Sequence, residues 1–130
     1  MNRIKWILML TIGGSLLSCS WDDPSHPIAG TWTWLYSAGG IGGSYQSPEN
    51  TGSQRQLLIW ESYYSDYIDG ELVRHGSSTI SQEDDYVLGS ENGDVLELDN
   101  GWVYGWRLQN DSLYLYDQCF DCFVHVFVRE

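Results

Sequence analysis

The sequence is dominated by short runs in which apolar or aromatic residues alternate with polar ones, separated by turns rich in Gly, Asn and Asp. Alternation at every second residue is typical of a half-buried β-strand. Two of the runs carry three aromatic residues each at alternate positions: Trp32, Trp34 and Tyr36 in the first, and Trp102, Tyr104 and Trp106 in the second. In an extended strand, the three members of each row share one face.

About nine such runs follow one another after residue 27, and one of them covers residues 86–89. Two-residue turns such as Asp69-Gly70 keep the connections short, which favours antiparallel pairing of neighbouring strands. A sheet built this way must close or leave two exposed edges. The sequence therefore predicts an all-β fold, a small antiparallel up-and-down β-barrel of about eight or nine strands. The Gly-rich residues 37–53 show no period and predict a long loop that is either a lid or disordered.

The first 18 residues predict a signal peptide. Arg3 and Lys5 give the segment a basic start, and a largely apolar run follows over residues 6–17. A membrane-spanning helix needs about 20 apolar residues, so this run is too short to be one. A basic start followed by a short apolar run is the pattern of a secretory signal, which is absent from the mature protein.

The motif Leu16-Leu17-Ser18-Cys19 resembles a bacterial lipobox. The resemblance implies that Cys19 becomes the acylated N-terminus, carrying chains such as palmitate that anchor the protein to the membrane. Ser20 after it favours the outer membrane, on the periplasmic side or at the cell surface. The pair Asp22-Asp23 is similar to acidic export tags of surface-displayed lipoproteins, or belongs to a solvated tether. We therefore divide the chain into a signal peptide (1–18), an acylated Cys with a polar tether (19–27) and a barrel domain (28–130).

The acidic charge of the chain excludes one class of partner. The formal net charge is −12, and removal of Arg3 and Lys5 with the signal makes it −14. Such a surface repels the phosphates of nucleic acids, so we expect no nucleic-acid partner. It also repels anionic lipid headgroups, so acyl chains rather than surface charge must hold the membrane.

The layout of the barrel domain resembles that of lipocalins. Gly30-Thr31-Trp32 lies near its start and Arg129 near its end, and further turns and strand motifs, including L-x-L-x-D-x-C, are similar to small lipocalin-like lipoproteins of Gram-negative bacteria. The resemblance implies that Trp32 lies at the closed end of the barrel with Arg129 over its indole as a cation–π pair. It also implies a habit of binding apolar molecules, without naming a ligand.

The aromatic rows have three interpretations. If both rows face inward, they line a cavity for a flat or apolar ligand. They could instead fill the barrel, because about eight strands enclose a lumen that side chains alone can occupy. In the third interpretation one row faces outward as a patch for a protein or glycan partner.

The remaining reactive side chains predict neither a metal site nor a cofactor. Cys119 and Cys122 form a C-x-x-C flanked by strands, which in an oxidising compartment favours a disulfide over redox catalysis. Zinc binding by this pair with His125 is disfavoured, because Cys122 and His125 lie three apart on a strand and point to opposite faces. An inward Arg55, Arg74 or Arg107 could meet a carboxylate-bearing ligand.

The sequence marks no convergent acid, base and nucleophile, so we expect no catalytic residues and no enzyme. We expect instead a membrane-anchored lipoprotein whose barrel binds a small apolar or aromatic ligand, with the two aromatic rows as candidate ligand-binding residues. The alternative is an interaction module with a solid barrel, which uses exposed aromatic residues or the Gly-rich loop to contact a protein partner of unknown identity.

Overall fold

The computed structural model describes residues 26–130, and the predicted signal peptide, Cys19 and most of the tether lie outside the described residues. The described part contains nine strands and one short helix. In chain order these are β1 (Gly30–Gly39), β2 (Ser44–Gln46), α1 (Pro48–Thr51), β3 (Arg55–Ile59), β4 (Tyr63–Ile68), β5 (Glu71–Gln82), β6 (Asp94–Leu98), β7 (Val103–Gln109), β8 (Ser112–Asp117) and β9 (Phe123–Arg129).

Eight of the strands form a closed antiparallel barrel. Strand β1 pairs with β3, each strand from β3 to β9 pairs with the next, and β9 returns to pair with β1. All of these pairings are antiparallel, with Trp32 opposite Arg129 at one end of the closing seam and Gly39 opposite Phe123 at the other. The predicted small antiparallel up-and-down barrel is therefore confirmed.

The two ends of the barrel differ. The chain enters at what we call the closed end, where β1 begins, β9 ends and Ile28 is fully buried. At the opposite, open end lie the turns β4–β5, β6–β7 and β8–β9 and the long β1–β3 connection. The β4–β5 turn is the predicted two-residue Asp69-Gly70, in which Asp69 adopts a positive φ of 51°. Such positive φ values match the twist of a tight hairpin.

The Gly-rich connection is more ordered than the sequence predicts, because it contains β2 and α1. Strand β3 pairs only with the first residues of β1, from Gly30 to Thr33, which leaves one edge of the upper half of β1 without a partner in β3. Strand β2 pairs there with Ser37, Ala38 and Gly39. The extra strand thus satisfies backbone groups at an otherwise open edge.

The predicted strand at residues 86–89 is wrong. This segment belongs to the β5–β6 connection, residues 83–93, which folds along the outside of the barrel and which we call the strap. Leu88 donates its amide to Gln118 Oε1 at 3.0 Å and accepts a bond from Gln118 Nε2 at 2.9 Å. A Cβ atom at Gly105 in β7 would lie 2.2 Å from the Leu88 carbonyl oxygen. The alternation in the strap therefore reflects burial of Val87 on an outer face, and the glycine makes the close approach feasible.

The core occupies the interior and is densest towards the closed end. Its buried members are Ile28, Trp32, Trp34, Ile59, Tyr64, Leu96, Leu98, Trp106, Leu113, Leu115 and Phe127. Residues from β1, β3, β4 and β6 to β9 meet there, so the core depends on closure of the barrel rather than on any single hairpin. No helix among residues 26–130 is long and apolar enough to cross a membrane.

Candidate functional site

The first aromatic row does not lie on a single face. Trp32 and Trp34 are buried in the core, but the pairing of β1 with β9 shifts between Trp34 and Tyr36, so that Leu35 is a bulge residue. An extra residue reverses the alternation beyond it. Ser37 therefore points inward, and Tyr36 stacks instead on Tyr45 of β2, with ring centroids 5.4 Å apart. The predicted shared face of Trp32, Trp34 and Tyr36 is wrong for Tyr36.

The second aromatic row extends from the open end into the core. Trp106 is buried among core residues, Tyr104 forms part of the cavity wall, and Trp102 lies at the open end with 49% of its surface exposed. Burial raises the pKa of Tyr104 to about 12, with the Asp117 carboxylate adding to the shift. Tyr104 therefore presents a neutral hydroxyl at physiological pH.

A cavity of about 400 Å³ lies between the buried core and the open end of the barrel. Its wall combines apolar, aromatic and charged side chains from seven of the eight barrel strands and the β6–β7 turn. The lining residues are Arg55, Leu57, Tyr64, Asp66, Arg74, Leu96, Leu98, Asn100, Trp102, Tyr104, Leu115, Asp117, His125 and Phe127. Of the six aromatic candidates, only Trp102 and Tyr104 are among them.

The lining residues form two layers. Leu57, Leu96, Leu115 and Phe127 lie further along their strands towards the closed end and give an apolar lower layer. The charged side chains belong to residues nearer the open end, and together with Asn100 and Trp102 they form a polar upper layer, namely Arg55, Asp66, Arg74, Asp117 and His125. A molecule in the cavity therefore meets hydrocarbon at one end and hydrogen-bonding groups at the other.

An incomplete ion pair forms one side of the upper layer. Arg55 Nη2 lies 3.3 Å from Asp66 Oδ2, and this is the single contact that joins the two side chains. Arg55 Nε and Asp66 Oδ1 are shielded from solvent and have no hydrogen-bond partner within residues 26–130. Arginine and a carboxylate can form two parallel bonds, so this pair uses only part of its capacity. The Arg55 guanidinium also lies 5.8 Å from the ring centre of Trp34.

A hydrogen-bonded chain of four side chains on β1, β9 and β8 lies next to this ion pair. Trp34 Nε1 donates to Ser37 Oγ at 2.9 Å, Ser37 Oγ lies 2.7 Å from His125 Nδ1, and His125 Nε2 lies 3.1 Å from Asp117 Oδ1. Since an ionised carboxylate only accepts, Nε2 carries the imidazole proton and Nδ1 accepts from the Ser37 hydroxyl. Burial lowers the pKa of His125, although Asp117 opposes this shift.

The chain contains the residue types of a hydrolase triad but not its accessibility. Ser37 is only 2% exposed, and its oxygen already accepts the Trp34 bond. Ser37 also does not line the cavity, whereas His125 and Asp117 do. A nucleophilic serine needs to reach the substrate carbonyl with oxyanion donors nearby. The geometry instead fixes the tautomer and orientation of His125 at the cavity wall.

The sequence does not identify Asp66, Asp117 and His125 as members of one polar layer, or Ser37 as the partner of His125. For Asp117 a signal was present, because the pattern L-x-L-x-D places it on the same face as Leu113 and Leu115. An acidic residue on the apolar face of a strand is a signal for a buried carboxylate. Ser37 gave no comparable signal, because its orientation depends on the bulge at Leu35.

The closed end is sealed by contacts between the first and the last residues of the barrel domain. The Arg129 guanidinium lies 4.3 Å from the ring centre of Trp32 and donates to the carbonyl oxygens of Ala29 at 3.0 Å and Pro27 at 2.7 Å. Trp32 Nε1 donates to Ile28 O at 2.9 Å. A Cβ atom at Gly30 would lie 2.9 Å from Arg129 Nη1, so the glycine leaves room for the guanidinium.

Two further predictions concern the cysteine pair and the three arginines that were candidates for an inward position. A disulfide joins Cys119 and Cys122, with Cα atoms 5.6 Å apart, in the β8–β9 turn. Among residues 26–130, no cluster of three or more His, Cys, Asp and Glu side chains is arranged to hold a metal ion. Arg107 lies over the rings of Tyr114 and Tyr116, whereas Arg55 and Arg74 reach the cavity.

No family model, curated protein or solved structure matches this chain. We therefore infer function from the geometry of the barrel interior.

Proposed function

We propose that this protein is a membrane-anchored, non-catalytic binding protein of the lipocalin-like lipoprotein kind, which holds a small ligand inside its barrel. The observation that carries the proposal is the cavity of about 400 Å³ with its two-layered wall. Small-molecule sites typically have volumes of about 300–1,000 Å³ and combine apolar walls with a few convergent polar groups.

The cavity favours ligand binding over a barrel filled by its own side chains. Close-packed interiors contain few voids larger than a water molecule. Here Trp32, Trp34 and Trp106 fill the closed end, but the side chains above them leave space between Leu57, Leu96 and Tyr104. The aromatic residues thus divide between packing and the cavity wall.

The proposed anchor fits the direction of the barrel. The acylated Cys19 lies outside the described residues, but the chain enters the barrel at the closed end, where Ile28 is fully buried. An anchor that precedes Ile28 by nine residues attaches to this end, opposite the cavity opening. We infer that the open end faces the aqueous compartment, from which it would take its ligand.

Anchoring is tested by metabolic labelling with palmitate in a Gram-negative host. We expect label in the wild-type chain and none in Cys19→Ser. Equal labelling of both chains would contradict the assignment of Cys19.

Ligand binding is tested with Cys19→Ser protein expressed without residues 1–18, which carries neither acyl chains nor the apolar signal segment. Fatty acids, haem and flat aromatic compounds are titrated while tryptophan fluorescence is recorded, with Trp102 as a reporter at the cavity. We expect saturable quenching or a blue shift for at least one compound. Leu57→Phe, which adds volume at the cavity wall, should weaken that binding about tenfold, the equivalent of 1.4 kcal/mol.

The matched control is Leu72→Phe, because Leu72 in β5 does not line the cavity and is half-exposed. It should leave the binding curve unchanged. A flat response across the panel, or equal effects of the two variants in folded proteins, would contradict a ligand site in the barrel.

A second candidate function is protein interaction at the open end. Ile41 is 90% exposed and Phe120 is 94% exposed, and they occupy adjacent tips, because Gly40 N donates to Cys122 O at 3.3 Å. Exposed apolar side chains of this kind are typical of contact sites. A photo-crosslinking amino acid at Phe120 should yield a discrete adduct in cells, whereas the same group at exposed Asn92 in the strap should not.

A further inference from the structure

We infer that the ligand has an uncharged polar head with both a hydrogen-bond donor and an acceptor, such as a primary carboxamide, on an apolar body. The inference rests on the proposed function and deepens it. It differs from the carboxylate expected if an inward arginine served as a simple anion site, because Arg55 at the cavity wall already has Asp66 as its carboxylate partner.

The two layers of the wall set the orientation of such a ligand. The apolar residues Leu57, Leu96, Leu115 and Phe127 lie towards the closed end, and the polar residues lie towards the open end. An apolar body removed from water gains free energy in the lower layer, and a polar group there would lose its hydration without compensation. The polar head therefore belongs beside Arg55 and Asp66.

The partially used ion pair supplies the hydrogen-bonding pattern. Arg55 Nε is a donor and Asp66 Oδ1 is an acceptor, and neither has a partner within the described part of the chain. Buried polar groups are costly when they remain unpaired. A head that both accepts and donates would satisfy the two atoms together once the two side chains turn to present them to the cavity.

The charge of the cavity argues against a charged head. Its wall holds two positive side chains, Arg55 and Arg74, and two negative ones, Asp66 and Asp117. These four charges balance when His125 is neutral, and burial lowers the pKa of His125. An acid would add an uncompensated negative charge to the cavity, whereas an uncharged head keeps the balance.

An amine satisfies only half of the pattern. It could pair with Asp66, but it offers no acceptor to Arg55 Nε and places a second cation beside the guanidinium. A carboxamide carries no charge and offers one carbonyl oxygen and one NH₂ group. Among these three heads, it is the one that meets the donor, the acceptor and the charge balance.

The experiment compares octanamide, octanoate and octylamine, which share a similar apolar chain and differ in the head. Each is titrated into the Cys19→Ser protein by calorimetry at neutral pH. We expect octanamide to bind at least about tenfold more tightly than either charged compound, a difference equivalent to 1.4 kcal/mol. Tighter binding of octanoate or octylamine would overturn the inference but leave the proposed binding function intact.

Asp66→Asn tests whether the ion pair sets this preference. Loss of the carboxylate frees Arg55 and removes a negative charge, so octanoate should gain affinity and octanamide should lose it. Glu97→Gln removes the same charge from an exposed position on β6 and should leave both affinities unchanged. Equal effects of the two variants would overturn the inference.

The wild-type comparison is decisive even if Asp66→Asn fails to fold. Binding of other panel compounds without binding of any octyl compound would also overturn the inferred head group. If neither the octyl compounds nor the panel bound, the proposed function itself would fail.

Discussion

Two arginines, Arg129 at the closed end and Arg55 at the open end, use their hydrogen-bonding capacity to different degrees. At the closed end, Trp32 is fully buried with its indole nitrogen bonded to Ile28, and Arg129 covers its ring. At the open end, Arg55 and Asp66 each retain a shielded atom without a partner. The comparison indicates that one end is packed for stability, whereas the other retains binding capacity at a cost in stability.

The largest expected effect is at the closed end. Trp32→Ala should lower the free energy of unfolding by about 3–5 kcal/mol, because it removes a fully buried indole and leaves a cavity. Trp102→Ala at the open end should cost less than about 1 kcal/mol, since that side chain is half-exposed. Urea denaturation followed by circular dichroism measures both. Similar losses would contradict the division between the two ends.

The Arg129 contacts should rank next. Arg129→Ala removes a cation–π contact and two hydrogen bonds to carbonyl oxygens, and should cost about 1–3 kcal/mol in unfolding free energy. Arg129→Lys keeps the charge but not the planar fork, so it should recover less than half of this loss. Full recovery by lysine would show that charge alone seals the closed end.

The disulfide at the open end should contribute less. Cys119 and Cys122 close a very short loop, so replacing both by Ser should cost less than about 2 kcal/mol, near the low end of measured disulfide contributions. Mass spectrometry of the exported protein should show the pair oxidised. Two alkylatable thiols, or a loss as large as that of Trp32→Ala, would contradict this view of the turn.

The smallest expected effect concerns pH. Burial lowers the pKa of His125 below its unfolded value, so the unfolded state binds more protons between the two values. The contribution of the neutral His125 to the free energy of unfolding is fully present above the unfolded pKa of about 6.5. It is lost as the pH falls towards the folded pKa. The urea midpoint should therefore fall with acidification through this range.

His125→Gln removes the titrating group and should flatten that dependence. His26 also has a pKa lowered by burial, so some slope should persist in the variant. His75→Gln is the control, because His75 is an exposed residue of β5. An unchanged slope in His125→Gln would contradict the neutral, buried imidazole.

Much of the fold could be predicted because alternation and turn chemistry are local. The Asp69-Gly70 turn and the alternating residues of β7 and β8 specify hairpins within a few positions of one another. The strand prediction for the strap is wrong for the same reason, since alternation indicates burial of Val87 but not which face of the barrel covers it. Signal peptide and acylation predictions concern residues outside the described part of the chain.

The candidate site was less predictable, because its polar residues come together only across the barrel. Ser37 and His125 are 88 positions apart, and their bond depends on a bulge at Leu35 that the alternating pattern does not show. Arg55 and Asp66 meet as neighbours on β3 and β4, but their inward direction depends on how the sheet curves.

The sequence by itself determined an acidic, all-β chain with short antiparallel strands, because periodicity, charge and turns are properties of neighbouring residues. Tertiary structure alone decided which aromatic residues pack and which line the cavity. It also decided that Tyr36 faces away from the core and that the cavity is charged at one end. The physical reason is that barrel closure sets long-range register, and register determines which side chains share the interior.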